Sequence, residues 1–179
     1  LKMSFEVGGF TQVNAKLNNL MVKRAMDLLQ PSPGERIADL FCGLGNFTLP
    51  IARSGAQVLG VEGLPDLVNR AKQNAVANHC QGYVDFSVAD LFKVNSSALD
   101  NWCNVGKVLL DPPRAGAHAV IEMLTQARRL HRIVYVSCNP ATFVRDAALL
   151  VGKGYRFKLL GVMNLFSQTA HVESIGCFD

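Results

Sequence analysis

Short segments that are mostly apolar recur along the chain and are separated by stretches long enough for helices. They predict five strands, at residues 37–41, 58–61, 83–88, 107–110 and 133–137. A strand without polar alternation is buried on both faces, as strands of parallel sheets are. Strands that alternate with helices predict an open, doubly wound α/β sheet. Ligands of such sheets bind beyond the carboxyl ends of the strands, so the residues that follow each strand are the candidates for function.

Apolar residues at helical spacing predict the helices around these strands. They lie at residues 14–30, 65–78, 117–130 and 141–151, with a short helix that ends near residue 54. Two further strands, at 157–162 and 172–178, have no helix-length segment between them and must pair as an antiparallel hairpin. The sequence therefore predicts a Rossmann-like sheet of seven strands with an antiparallel C-terminal hairpin.

Composition restricts the class of protein and the partners. The chain has 179 residues, 49% of them apolar and 18% charged, which is typical of one packed domain. No apolar run approaches the ~20 residues of a membrane helix and no signal peptide is recognised, so we expect a cytoplasmic protein without a membrane partner. Five widely spaced cysteines without a CxxC pair indicate reduced thiols and no metal site. The net charge of +4 is compatible with a nucleic-acid partner without requiring one.

The turn after the first strand predicts a nucleoside-ligand site. Gly43 and Gly45 allow the backbone to approach a ligand closely. Glu62 ends the second strand, where an acid can accept hydrogen bonds from ribose hydroxyls. A dinucleotide fingerprint needs a third glycine where Thr48 stands. The sequence therefore disfavours NAD and favours S-adenosylmethionine, which has no phosphate.

Acids also follow the third and fourth strands. Asp90 either accepts a hydrogen bond from an adenine amino group or caps the residues after it. Asp111 opens the sequence Asp-Pro-Pro-Arg, whose prolines cannot continue the sheet. That loop is either a stiff turn or the wall of a substrate pocket with Arg114 near RNA phosphate. Its place on the ligand side of the sheet favours the pocket.

Cys138 and Glu173 are the candidates for chemistry. Cys138 ends the fifth strand just before a proline-led helix, whose N-terminal field is predicted to favour a thiolate. Cys42 lies inside the glycine turn, and packing is its expected role. Glu173 shares a face of the last strand with His171, which we interpret as structural. Apolar neighbours predict a raised pKa for Glu173, as for a general base.

Several motifs together resemble the RNA uracil-5-methyltransferases, especially those that act on bacterial large-subunit rRNA. They are FTQVN, DLFCGLGNF, GVEG, LLDPPRAG, YVSCNPATFVRD and HVES, in this order along the whole chain. The resemblance implies the class I methyltransferase fold, with Cys138 as the nucleophile and Glu173 as the base. It also implies S-adenosylmethionine contacts from Gln12, Phe41, Asn46, Glu62, Asp90 and Asp111, and the glycine turn adds Gly43.

The implied reaction transfers a methyl group from S-adenosylmethionine to carbon 5 of a uridine in RNA, through a cysteine adduct at carbon 6. The expected RNA is 23S rRNA, with tRNA as the alternative. Members of the family usually carry an upstream oligonucleotide-binding barrel and often a [4Fe-4S] cluster, and neither has a counterpart in this sequence. Residues 1–179 are therefore expected to be a monomeric catalytic domain with RNA as its partner.

Three other functions stay open at this point. An RNA 5-methylcytosine methyltransferase resembles this chain, but its second cysteine is missing from the loop that begins at Asp111. An amino-group methyltransferase resembles that loop, but has no need of Cys138 and commonly places an aromatic residue where Arg114 stands. A non-catalytic RNA-binding module would not need an intact set of site residues.

Overall fold

A seven-stranded mixed sheet forms the centre of the molecule. The computed structural model describes residues 15–94, 102, 104–127, 129–163 and 173–179. The strands run in the spatial order β3-β2-β1-β4-β5-β7-β6. Their bounds are β1 (Arg36–Leu40), β2 (Gln57–Glu62), β3 (Val84–Val88), β4 (Lys107–Leu110), β5 (Arg132–Ser137), β6 (Phe157–Met163) and β7 (Glu173–Phe178). The predicted doubly wound α/β sheet is confirmed.

Helices cover both faces of this sheet. They are α1 (Ala15–Leu29), α2 (Thr48–Arg53), α3 (Pro65–Ala77), α4 (His118–Leu124) and α5 (Pro140–Gly152). The first three pack on one face, and α4 and α5 pack on the other. Proline at the first position starts α3 and α5, since its missing N–H would have no partner there. No helix in the described ranges is long and apolar enough to cross a membrane.

Strand β7 is the only one of the seven described strands that runs against the others. It lies between β5 and β6 and is antiparallel to both. The predicted C-terminal hairpin is therefore confirmed, and its second strand is inserted beside β5 instead of forming the sheet edge. Strand order also reverses between β1 and β4, so the carboxyl ends of these two strands flank the switch point at which such sheets bind ligands.

The helix predicted at residues 117–130 is shorter than expected. It is α4, which ends at Leu124 and is followed by a turn. The side chains of Thr125 and Gln126 both donate to the carbonyl of Glu122, and such local bonds compete with continuation of a helix. The prediction extended the helix to Leu130 because this residue is apolar, but Leu130 is buried outside the helix.

Candidate active site

Asp39, Asp111 and Cys138 face the same side of the sheet at the carboxyl ends of three neighbouring strands. Asp39 pairs with Leu109, and Asp111 lies two residues beyond Leu109. Leu109 pairs with Val134 of β5, and Cys138 lies four residues beyond Val134. Because side chains alternate between the faces of a strand, even spacing keeps all three residues on one face. We call residues 111–117, which follow β4, the proline loop.

Glu173 joins this group through the pairing of β5 with β7. Ser137, the last residue of β5, pairs with Ser174. Cys138 and Glu173 are the residues next to this pair, at the end of β5 and the start of β7. The charge of Glu173 acts on the Cys138 thiol, so the two side chains are neighbours. Glu173 is 8% exposed.

The electrostatics of the group follow from burial and from like charges. Burial raises the pKa of Glu173, in the direction that its apolar neighbours predict. Burial also raises the pKa of Asp111 well above its ordinary value, and the charges of Glu173 and Asp39 add to this effect. The protein therefore concentrates carboxyl groups that resist ionisation around Cys138.

These surroundings disfavour the thiolate of Cys138. Burial raises the pKa of this thiol first, followed by the carboxylates of Glu173 and Asp111. Arg114 lowers the pKa of the thiol, as does a backbone hydrogen bond, but their effect is smaller. The field at the N-terminus of α5, which the sequence predicts to favour the thiolate, is therefore outweighed by burial and two acids.

Cys42 has the packing role that its position predicts. It is buried, and its Sγ lies 3.1 Å from where a Cβ on Gly60 would be. Burial, with the charges of Asp39 and Glu62, raises the pKa of its thiol far above the ordinary value. Cys42 is therefore unsuited to nucleophilic attack, whereas the half-buried Cys138 is accessible.

The glycine turn has the strained backbone of a ligand-binding loop. Gly43 and Gly45 have φ of 53° and 90°, a region that glycine adopts without penalty. Phe41 has φ of 66°, where an aromatic residue costs about 1–3 kcal/mol. Strain of this kind persists only where the surroundings impose it, and it concentrates at ligand sites.

Glu62 organises the same turn. Its Oε2 accepts a hydrogen bond from the N–H of Gly43 at 3.1 Å. Its Oε1 accepts from the N–H groups of Gly63 and Leu64 at 2.8 and 3.1 Å. The carboxylate therefore links the end of β2 to the glycine turn, at the position from which the sequence predicts a ribose contact.

The side chain of Asn46 is paired with α1. Its amide nitrogen donates to Asn18 Oδ1 at 3.0 Å, and its oxygen accepts from Asn18 Nδ2 at 2.9 Å. This reciprocal pair connects the glycine turn to the helix that follows the FTQVN segment. A cofactor contact from Asn46 stays a prediction, and it would use the remaining hydrogen-bonding capacity of the amide.

Asp39 is a site residue that the sequence did not single out. It is fully buried, and Thr48 Oγ1 donates to its Oδ2. Its Oδ1 has no hydrogen-bond partner among the described residues. Burial raises the pKa of Asp39 to about 7, and Glu62 adds to the shift. Asp39 was not selected because it lies within a predicted strand and not after one. A charged residue within a buried strand is nevertheless a sequence signal for a functional site.

Phe92 is the second such residue. Its ring lies 5.6 Å from that of Phe41, and 49% of its surface is exposed. Asp90 accepts from the N–H of Phe92 at 2.9 Å, so the capping interpretation of Asp90 holds, although a turn follows instead of a helix. An adenine contact from Asp90 stays a prediction. The two rings and this acid form one wall next to the glycine turn.

Two residues named from the sequence lie outside the described residues, Gln12 and His171. In the part of the chain that is described, no group of three or more His, Cys, Asp or Glu residues is arranged to hold a metal ion.

The chain matches a known protein family over nearly its whole length. The model of the tRNA (uracil-5-)-methyltransferase family matches residues 2–178. The chain belongs to this family. The 23S rRNA (uracil(1939)-C(5))-methyltransferase RlmD of Neisseria lactamica is 50% identical over 179 residues, which are 100% of the chain and 40% of that relative. The protein of the same name from Azoarcus sp. is 54% identical over 178 residues, 99% of the chain and 41% of the relative. The chain thus spans about two fifths of their length.

Solved structures show the same fold. The tRNA (uracil-54, C5)-methyltransferase of Pyrococcus abyssi, in complex with S-adenosyl-L-homocysteine, superposes with a TM-score of 0.81 at 30% identity, over 96% of this chain and 40% of that one. Magnesium protoporphyrin IX methyltransferase of Synechocystis with bound S-adenosylmethionine gives 0.68 at 20% identity, over 95% and 86%. The predicted class I methyltransferase fold is confirmed.

Replacement of Glu173 by Gln should make Cys138 more reactive. The negative charge of Glu173 is one cause of the raised thiol pKa, so its removal should lower that pKa. We expect alkylation of Cys138 by iodoacetamide at pH 8 to accelerate roughly threefold or more, measured by site-resolved mass spectrometry.

Asp90→Asn is the matched control, because it removes an exposed carboxylate at another strand end. It should leave the alkylation rate of Cys138 unchanged. An unchanged or slower rate in Glu173→Gln would show that the carboxylate does not act on the thiol.

Proposed function

We propose that the chain transfers the methyl group of S-adenosylmethionine to carbon 5 of a uridine in RNA. The proposed RNA is 23S rRNA. Cys138 is the proposed nucleophile and Glu173 the proposed base. The observation that supports the proposal is the pairing of Ser137 with Ser174, the residues next to Cys138 and Glu173. Membership of the uracil-5-methyltransferase family supports the same reaction.

The described residues fit S-adenosylmethionine as cofactor. Asp39, with its partnerless buried oxygen, and Glu62 place hydrogen-bond acceptors at this end of the sheet. Such acceptors suit the ammonium group and the ribose hydroxyls of S-adenosylmethionine, whereas Thr48 stands where the pyrophosphate turn of an NAD site needs a glycine. We propose that Gln12, Phe41, Gly43, Asn46, Glu62, Asp90 and Asp111 hold the cofactor, with Asp39 and Phe92 added to this set.

Cys138 would activate the uracil ring. Carbon 5 of uracil is a weak nucleophile, and addition of the Cys138 sulfur to carbon 6 makes carbon 5 electron-rich. The thiolate that adds is destabilised by Glu173 and Asp111 in the free protein. A thiol of high pKa is intrinsically more nucleophilic once it is ionised. Addition also moves the charge from sulfur to the ring oxygen, away from the carboxylates.

Glu173 would complete the reaction. When bound, S-adenosylmethionine supplies the electrophilic methyl group at carbon 5. The base must then remove the proton from carbon 5, which drives elimination of Cys138. Glu173 is close enough for its charge to act on the Cys138 thiol, and burial raises its own pKa; both features suit a base that works at neutral pH. The ring must present its face to Cys138, so we propose that the uridine is turned out of its stack.

Relatives favour rRNA over tRNA as the substrate. Proteins named for position 1939 of 23S rRNA are 50–54% identical to the chain, whereas the archaeal tRNA enzyme is 30% identical. We propose RNA as the macromolecular partner and the cytoplasm as the place of action, with the chain acting as a monomer. Arg114, on the proline loop next to the Cys138 turn, is the proposed phosphate contact.

Glu62→Ala should weaken the binding of S-adenosylmethionine. Loss of the ribose hydrogen bonds is expected to cost about 1–3 kcal/mol, roughly five- to 150-fold in Kd, measured by calorimetric titration. Asp66→Asn, which removes a nearby exposed carboxylate on α3, should leave the affinity unchanged. NAD should give no response. Binding of NAD without binding of S-adenosylmethionine would contradict the cofactor proposed here.

An RNA that contains 5-fluorouridine should trap the covalent intermediate. Fluorine cannot leave carbon 5 as a cation, so elimination stops and the methylated ring stays attached to Cys138. With S-adenosylmethionine present, we expect a complex of protein and RNA that survives denaturation and maps to Cys138 by mass spectrometry.

Two variants make this experiment specific. Cys138→Ala should abolish the complex, and Glu173→Gln should form one even with ordinary uridine. An adduct that persists in Cys138→Ala and maps to Cys42 would overturn the assignment of the nucleophile. Methylation of ordinary RNA without any trapped adduct would favour transfer to an amino group instead.

A further inference from the structure

Helix α5 holds the proline loop at consecutive peptide groups. The carbonyl of Arg114 accepts from Asn139 Nδ2 at 3.0 Å and from Thr142 Oγ1 at 3.2 Å. The carbonyl of Ala115 accepts from Arg145 Nη2 at 3.0 Å. These donors are three residues apart, so one face of α5 runs along the loop.

Asp146 makes the most buried contact with this loop. Its side chain is fully buried, and its Oδ2 accepts from the N–H of Ala117 and from the hydroxyl of Tyr135, both at 2.7 Å. Its Oδ1 accepts from Arg145 Nε at 2.8 Å and pairs with Arg145 Nη2 at 2.7 Å. Four donors therefore satisfy one buried carboxylate.

Gly116 allows the loop to lie directly on this ion pair. A Cβ at Gly116 would be 2.5 Å from Arg145 Nη2 and 2.6 Å from Asp146 Oδ2. Its φ of 80° also disfavours any other residue. Glycine is therefore required at position 116, because a side chain there would collide with the ion pair of Arg145 and Asp146.

A buried ion pair is an expensive way to gain stability. Desolvation of the charges offsets much of their attraction, and apolar residues of similar volume often stabilise a fold as well or better. The pair instead fixes the orientation of its neighbours, because each of its hydrogen bonds holds one polar group in place. Two of those groups belong to the loop that carries Arg114, and α5 begins two residues after Cys138.

We infer that Asp146 is a positioning residue for the methyl-transfer reaction: it locks the proline loop onto α5 and so fixes Arg114 beside Cys138. This inference rests on the proposed role of Cys138 as nucleophile. The charged groups that act on Cys138 are Glu173 from β7, and Asp111 and Arg114 from the proline loop. Arg114 is the cation in this set and lies on the part of the loop that α5 holds, whereas Asp111 is anchored to β1 because its N–H donates to the carbonyl of Leu40. Displacement of the loop from α5 therefore removes the cation that favours the thiolate and leaves the acids in place.

The test measures the rate at which iodoacetamide alkylates Cys138 between pH 7 and pH 10, by site-resolved mass spectrometry on the intact chain. Arg114→Gln should raise the pKa of the thiol and slow alkylation at pH 8 by about twofold. Asp146→Asn should slow it to a similar extent. Arg114→Lys should retain most of the wild-type rate, and Lys153→Gln, which removes a cation from the far end of α5, should retain all of it.

A double variant separates positioning from a general loss of structure. If Asp146 acts through Arg114, Asp146→Asn combined with Arg114→Gln should be no slower than Arg114→Gln alone. A wild-type rate in Asp146→Asn, or additive slowing in the double variant, would overturn the inference. If Asp146→Asn does not fold, Gly116→Ala replaces it, because the added methyl group pushes the loop off the ion pair. The same alkylation rates, alone and combined with Arg114→Gln, then decide.

No RNA or cofactor enters this assay. A failure of uridine methylation would therefore count against the proposed function alone, and a failure of the coupling would count against the role of Asp146 alone.

Discussion

The antiparallel pairing of β5 with β7 is the interaction on which the candidate site depends. A shift of one residue in this register would turn Glu173 to the opposite face of the sheet and leave Cys138 without its neighbour. Two contacts hold the register. Ile175 and Cys177 are buried on the α1 side, and Gly176 lies under the ring of Phe143, which comes within 2.7 Å of a would-be Cβ.

The same register explains the electrostatics of the site. Asp39, Asp111 and Glu173 come from three strands, yet alternation places them on one buried face. Burial raises the pKa of Asp39 to about 7, and burial together with the charges of Glu173 and Asp39 raises the pKa of Asp111. A buried cluster of this kind costs free energy unless a charge or a hydrogen-bond donor compensates it. It suits a cationic cofactor and a nucleophile whose charge leaves the sulfur during reaction.

Local patterns were sufficient to predict most of the fold. Mostly apolar runs predicted β1, β2, β4 and β5, apolar residues at alternate positions predicted β3, and Pro65 marked the start of α3. Local patterns could not predict that β7 lies between β5 and β6, because this order depends on contacts between segments that are distant in sequence. The end of α4 was predicted wrongly because Leu130 packs in the core without belonging to the helix.

The site was predicted less completely than the fold. Motifs led to Cys138 and Glu173, and the structure brings both to the same place. The raised pKa of the Cys138 thiol could not be predicted, because a helix N-terminus is visible in sequence, whereas the burial and the acids that outweigh it are not. Asp39 and Phe92 were missed for a related reason. Their significance lies in a partnerless oxygen and a neighbouring ring.

Release of tritium from carbon 5 tests the central claim most directly. RNA that contains uridine tritiated at carbon 5 is incubated with the chain and S-adenosylmethionine, and tritium in water is compared with methyl groups in RNA. Addition by Cys138 and proton removal by Glu173 predict one tritium released for every methyl group transferred. Methyl transfer that leaves the tritium on the ring would show that carbon 5 is not the acceptor and would contradict the account.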